Sequence, residues 1–243
     1  MKKYILSLAT FVMLLTAFSA TAQQVNSKWI NAVVGLNSSW IIYQNAYGNP
    51  EIEYSTTFGF TGGMGMTYFI NEQWGVSGTF MATKAGQNYA GVQSGGDATR
   101  KVHLSYLEIP LLITKHIDAS SPDKPTWISF GPDILVLLKA QQEYVRKGGD
   151  PLPNPDGMKV GDIRERFNTT DVALNFAINK MYKMSGSDNV MFLLSFNTAI
   201  GLTDINSIEW KTPQIDGTYT GSHNFYIGIK AGLMFKASKD KKD

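Results

Sequence analysis

Thr56-Thr-Phe-Gly-Phe-Thr-Gly-Gly-Met-Gly-Met-Thr-Tyr-Phe-Ile70 carries two faces at a strict period of two. Phe58, Phe60, Met64, Met66, Tyr68 and Ile70 point one way, and Thr57, Gly59, Thr61, Gly63, Gly65 and Thr67 the other. Side chains alternate across a strand, so the segment predicts one long strand with a large apolar face and a small, polar face. A strand of about 15 residues far exceeds the usual 5 or 6 of a soluble sheet. Its bulky face suits lipid as the solvent, and the expected fold is a transmembrane β-barrel.

The pattern recurs along the chain. Trp29 to Ile42 sets Ile30, Ala32, Val34, Leu36 and Trp40 against Asn31, Gly35, Asn37 and Ser39, with Val33 an apolar exception on the polar side. Trp74 to Lys84, Val102 to Lys115, Trp127 to Leu138, Thr169 to Tyr182, Val190 to Leu202 and His223 to Lys236 alternate likewise. The total predicts an all-β, eight-stranded antiparallel up-and-down transmembrane β-barrel, and even counts are the habit of bacterial single-chain barrels. Links alternate in length. Asn71 to Gln73, His116 to Pro125 and Lys183 to Asp188 are short or moderate, whereas Tyr43 to Glu53, Ala85 to Lys101, Lys139 to Asn168 and Thr203 to Ser222 are longer. Short periplasmic turns and long outer loops place both ends of the barrel chain on the periplasmic side.

With that orientation, Tyr68, Trp74, Tyr182 and Phe235 share the lipid-facing parity at the periplasmic ends, the pattern of an interfacial aromatic girdle. Trp29 and Trp127 reach the same level with the opposite parity. Strand charges take the small face. A lysine facing lipid at the midplane would cost about 2–4 kcal/mol, so Glu108, Asp133, Asp171 and Lys230 are expected to point inward. An eight-stranded lumen is filled by side chains, so buried charges there must pair. The expected polar network is Glu108, Asp171 and Lys230, with Asp133 and Asn175 as neighbours. Its role is a stabilising plug, with a proton or solute path as the alternative.

Lys2 and Lys3, an apolar run from Tyr4 to Phe18 and the small-x-small Ala20-Thr21-Ala22 read as a signal peptide over residues 1–22, cleaved between Ala22 and Gln23. The barrel domain is then 23–236 and a charged tail 237–243. Losing Lys2 and Lys3 with no acid brings the 22 basic residues down to 20, level with the 20 acidic ones. A neutral chain without a basic cluster outside the tail argues against a nucleic-acid partner. With no cysteine, it has neither disulfides, nor thiolate metal ligands, nor a lipoprotein anchor.

The block Tyr106-Leu-Glu-Ile-Pro-Leu-Leu-Ile113, followed by Trp127-Ile-Ser-Phe-Gly-Pro-Asp-Ile-Leu-Val-Leu-Leu138, resembles the PorT-like outer-membrane β-barrel domain family over essentially the whole exported chain. The resemblance implies a small barrel of the OmpA/OmpX type in the outer membrane. The namesake's association with type IX secretion adds one functional candidate.

Chemistry finds little footing. His103, His116 and His223 are dispersed without metal-ligand spacing. No nucleophile elbow or phosphate-binding loop is present, and the glycines from Gly59 to Gly65 suit close packing. Asp150 to Gly157 echoes a calcium loop but would put Leu152 first and Ile163 last among the ligands. The expectation is a non-enzymatic barrel without cofactors, embedded in outer-membrane lipid. Partners would be envelope proteins or surface ligands reached through the loops 85–101 and 139–168, the latter with Arg164, Glu165 and Arg166. Alternatives are a secretion or assembly subunit, a narrow pore, or a soluble periplasmic lipocalin-like binder.

Overall fold

The computed structural model describes residues 27–118, 125–184, 186–187 and 189–237. The expected cleavage pair Ala22 and Gln23, and the tail beyond Ala237, lie outside them. The strands are β1 (Ser27–Ile42), β2 (Glu53–Ser55), β3 (Phe58–Phe69), β4 (Trp74–Gln93), β5 (Gly96–Asp118), β6 (Thr126–Lys147), β7 (Gly161–Asp162), β8 (Thr170–Lys183), β9 (Val190–Gly201) and β10 (His223–Lys236). The eight long ones form an antiparallel ring in chain order, β2 and β7 being short additions outside it. Closure comes from β1 against β10, paired from Trp29 opposite Lys236 to Ile42 opposite His223. A closed ring satisfies every strand within it and leaves no edge in lipid.

The ring is inside out relative to a water-soluble barrel. Val34, Phe58, Phe60, Met64 and Phe80 are each more than 60% exposed on its outer face, while Thr61, Thr83, Asn175 and Asn197 are buried within. Water would drive those apolar groups inward; hydrocarbon gives them no reason to move. This overturns the lipocalin-like alternative. The inward glycines of β3 let β4 approach closely. A Cβ on Gly63 would lie 2.0 Å from the Phe80 carbonyl oxygen, and one on Gly65 2.3 Å from that of Gly78.

The segment 85–101 is not a loop. β4, β5 and β6 run to 20, 23 and 22 residues, about twice the 9–11 a membrane crossing needs, and the excess projects beyond the outer rim. β4 and β5 join through a two-residue turn in which Ser94 (φ 46°) and Gly95 (φ 75°) are both left-handed, as a type I′ hairpin requires. The membrane pattern stops there because the solvent changes. Gln87, Tyr89, Arg100, Val102 and Leu104 are buried on the inner side, while Lys84, Ala90, Lys101 and His103 face out. Of 139–168, the first part extends β6. Leu138 is bulged between the pairs Tyr106–Leu137 and Ser105–Lys139, which moves the inward parity from Leu135 and Leu137 to Ala140 and Gln142. Single turns of 3-10 helix at Pro155–Met158 and Arg164–Arg166 then shape the loop before β8.

Two apolar clusters pack inside the ring. Towards the short-turn end Trp29, Val33, Phe69, Met81, Trp127, Met181, Leu193 and Met234 form an apolar plug. Towards the long-loop end Ile41, Tyr89, Val102, Leu104, Leu135 and Leu137 pack with the loop residues Ile52, Ile163, Phe167 and Ile205.

Candidate functional site

Between the two apolar clusters the lumen is polar, and its centre is Tyr226, which the expected network did not include. The Tyr226 hydroxyl lies 2.7 Å from Glu108 Oε1 and 2.8 Å from Asp133 Oδ2. Asn175 Nδ2 donates to the same Asp133 oxygen at 2.9 Å, and Thr83 Oγ1 donates to the other Glu108 oxygen. Lys230 Nζ stands 3.8 Å from Glu108 Oε1. Glu108, Asp133, Asn175 and Lys230 therefore meet, drawn from four strands by their inward parity.

Asp171 does not join them. It sits one layer outward, accepting a hydrogen bond from Asn224 Nδ2 at 2.8 Å and one from Thr203 Oγ1. Asn224 also donates to the Tyr106 hydroxyl at 3.0 Å. Its distance from Lys230 follows from register: Asp171 opens β8, near the outer rim, whereas Lys230 lies mid-way along β10. Tyr106, Asn224 and Tyr226 share the parity of Glu108 and Lys230, and that parity was the available signal for them.

One hydroxyl hydrogen cannot serve both Glu108 and Asp133 fully, because tyrosine brings a single proton to two short oxygen contacts. Below this layer lies a cavity of 80 Å³ reaching Asn175, Lys230, Asn197 and Thr114. Both amide atoms of Asn197, Asn175 Oδ1, Asp133 Oδ1 and Thr114 Oγ1 are buried without a protein partner. The space holds about three waters, which would satisfy such groups.

The expected girdle residues Tyr68, Trp74, Tyr182 and Phe235 all take the outward face at the short-turn end. Lys115 Nζ stands 5.1 Å over the Trp74 ring, and Tyr182 lies 6.3 Å from Phe192. Trp29 and Trp127, of opposite parity, belong to the plug, with Trp127 4.5 Å from Phe69 and stacked 4.6 Å from His116.

The outer loops are stapled rather than loose. Arg166, expected to reach a partner, is 1% exposed. Its guanidinium lies 4.4 Å over Trp210 and 5.0 Å over Tyr47, and donates to the carbonyls of Gly157 at 2.7 Å and Asp156 at 2.9 Å. Arg100 covers Tyr47 from 5.2 Å and bonds Gln142 at 2.8 Å. Desolvated cation–π contacts of this kind are each worth about 2 kcal/mol. Arg164 is spent on the Leu137 carbonyl and Thr169 hydroxyl, leaving Glu165 exposed.

A second knot ties 203–222. Asp204 accepts from Tyr219 at 2.7 Å, from the backbone of Asn206 and Ser222 at 3.1 Å each, and pairs with Lys211 at 3.0 Å. Burial works against its charge, but these donors outweigh burial and hold its carboxyl below the ordinary carboxylate range.

The model of a family described as outer membrane protein beta-barrel domain matches residues 21–207. No curated protein sequence matches the chain significantly. Among solved structures it is similar to the outer membrane protease OmpT of Escherichia coli (10% identity, 90% of this chain and 99% of that one, TM-score 0.44). It is similar also to OprG of Pseudomonas aeruginosa (9%, 88% and 97%, 0.42) and Neisserial surface protein A (11%, 86% and 96%, 0.40).

Proposed function

The chain belongs to the outer membrane protein beta-barrel domain family, and from that membership we propose a non-enzymatic barrel that acts by interaction through its outer face. It resides in the outer membrane. The observation carrying the proposal is the pairing of a lumen filled by an apolar cluster towards each end, with a polar layer between them, and a stapled platform beyond the membrane. A lumen so filled leaves no wide path for a solute, and Glu108 and Asp133 are fully buried in it. The polar layer around Tyr226 is then a plug that holds the strands in register. What faces the surroundings is the projecting hairpin and the loops, where Val92 is 65% and Ile208 84% exposed.

A photo-crosslinking residue at Val92 or Ile208 in intact cells is expected to capture a discrete envelope or surface molecule, whereas one at Leu36 captures lipid. Reproducible conductance steps from the purified protein in a planar bilayer would overturn the reading. Export by cleavage after Ala22 predicts Gln23 as the first residue on N-terminal sequencing of the membrane form.

The finer PorT-like assignment, an accessory subunit of envelope secretion, rests on Tyr106–Ile113. In that block Tyr106, Glu108 and Pro110 serve the lumen, and Leu107, Ile109 and Leu111 serve lipid. Co-purification with a defined set of envelope proteins in mild detergent would raise that reading above the first.

A further inference from the structure

The loops 43–52 and 202–222 face each other across an open cleft of 760 Å³ on the outer side. That volume falls within the range of sites for small ligands, about 300–1,000 Å³. Its walls carry Tyr43 and Tyr54, 61% and 49% exposed, together with the carboxylates of Glu51 and Asp216. No basic residue lines it. The nearby Lys211 is already engaged by Asp204 at 3.0 Å.

The parts are held in place. The Asp216 carboxylate is fixed by the Thr218 backbone at 2.9 Å and the Thr218 hydroxyl at 2.7 Å. Tyr54 packs 5.6 Å from the buried Tyr89. Gln214, on the cleft wall, is anchored to the Gln44 carbonyl at 3.1 Å. Burial, and then repulsion from Asp216, push the Glu51 carboxyl up from its usual range. Two acids that repel each other beside two open aromatic faces form a site short of a cation.

We propose that this cleft binds an arginine-bearing peptide segment, the guanidinium stacking on Tyr43 and Tyr54 and pairing with Glu51 and Asp216. A guanidinium suits it better than a bare metal ion, since it is planar, stacks on aromatic rings and bonds carboxylates through a fork of donors. Among the described residues no three His, Cys, Asp or Glu side chains gather to hold a metal. The inference rests on the outer face being the interaction surface and names the chemistry that surface takes.

The test is fluorescence anisotropy with a labelled Gly-Arg-Gly-Arg-Gly peptide on the full protein in detergent micelles. The matched peptide has citrulline, which keeps the shape and removes the charge. Saturable one-to-one binding is expected, at least tenfold weaker for citrulline and at least tenfold weaker in E51Q/D216N, whose amides preserve the turn at Asp216. Tyr54→Leu is expected to weaken it about fivefold, and the distant D150N/E165Q not at all. Equal binding of the citrulline peptide, an unchanged affinity in E51Q/D216N, or competition by a neutral oligosaccharide but not by free arginine would overturn the assignment. Crosslinks from Val92 that persist while the peptide fails to bind refute the cleft and leave the outer-face reading standing. Loss of crosslinks at every outer position removes that reading itself.

Discussion

Replacing Tyr226 with phenylalanine removes one oxygen atom from the centre of the barrel, and the structure sets what that costs. The hydroxyl contacts Glu108 at 2.7 Å and Asp133 at 2.8 Å. The hydroxyl brings one hydrogen to the two carboxyl groups, so what is lost is one shared hydrogen bond to a charged group, about 1.5–3 kcal/mol. Two carboxyl groups are left facing each other, which adds to the loss. Water from the 80 Å³ cavity beside Asn175 and Lys230 can enter the vacated space and return part of it. The expected net destabilisation is about 2 kcal/mol. Tyr106→Phe is the internal control, since its hydroxyl receives one bond, from Asn224 at 3.0 Å, and its removal should cost about 1 kcal/mol. Both variants would be folded into phosphatidylcholine vesicles and unfolded in urea, with tryptophan fluorescence and unboiled gel mobility as readouts. A Tyr226→Phe loss no larger than that of Tyr106→Phe would refute the claim that the plug is organised around Tyr226. So would additivity between Tyr226→Phe and Glu108→Gln, because residues sharing a bond should couple.

Three further outcomes follow from the same geometry. Gly63→Val should abolish the compact unboiled gel band, since its Cβ would lie 2.0 Å from the Phe80 carbonyl, whereas Gly62→Ala, whose Cβ meets nothing nearer than 3.5 Å, should keep it. Leu36→Arg, on a lipid-facing position 56% exposed near the middle of β1, should destabilise the folded barrel by about 2–4 kcal/mol in urea titration. Asp204 has its carboxyl held below the usual range, so its contribution to the 203–222 knot is full above the unfolded value near about 4 and is lost as pH falls through the lowered folded value. Hydrogen exchange in 203–222, corrected for intrinsic rate, should therefore accelerate only at acid pH, and Asp204→Asn should show that faster exchange already at pH 7.

The period-two alternation alone determined the number of crossings, which residues face lipid, and the inward course of Glu108, Asp133, Asp171 and Lys230. It could do so because a strand between hydrocarbon and a packed lumen must alternate, whatever its neighbours are. Beyond the rim that constraint disappears. The residues from Ala85 to Lys101 face water on one side and a small core on the other, and their reversed pattern resembles a loop when the membrane pattern is the guide. Register was equally invisible. Which inward groups meet depends on how far each strand is slid against the next, and only the closed ring put Asp133 beside Glu108 and carried Asp171 a layer away to Asn224. Arg166 looked available to a partner because charge in a loop is ordinarily solvated; its burial under Tyr47 and Trp210 arises from three loops folding over one another, a contact between residues far apart in the chain that no local pattern records.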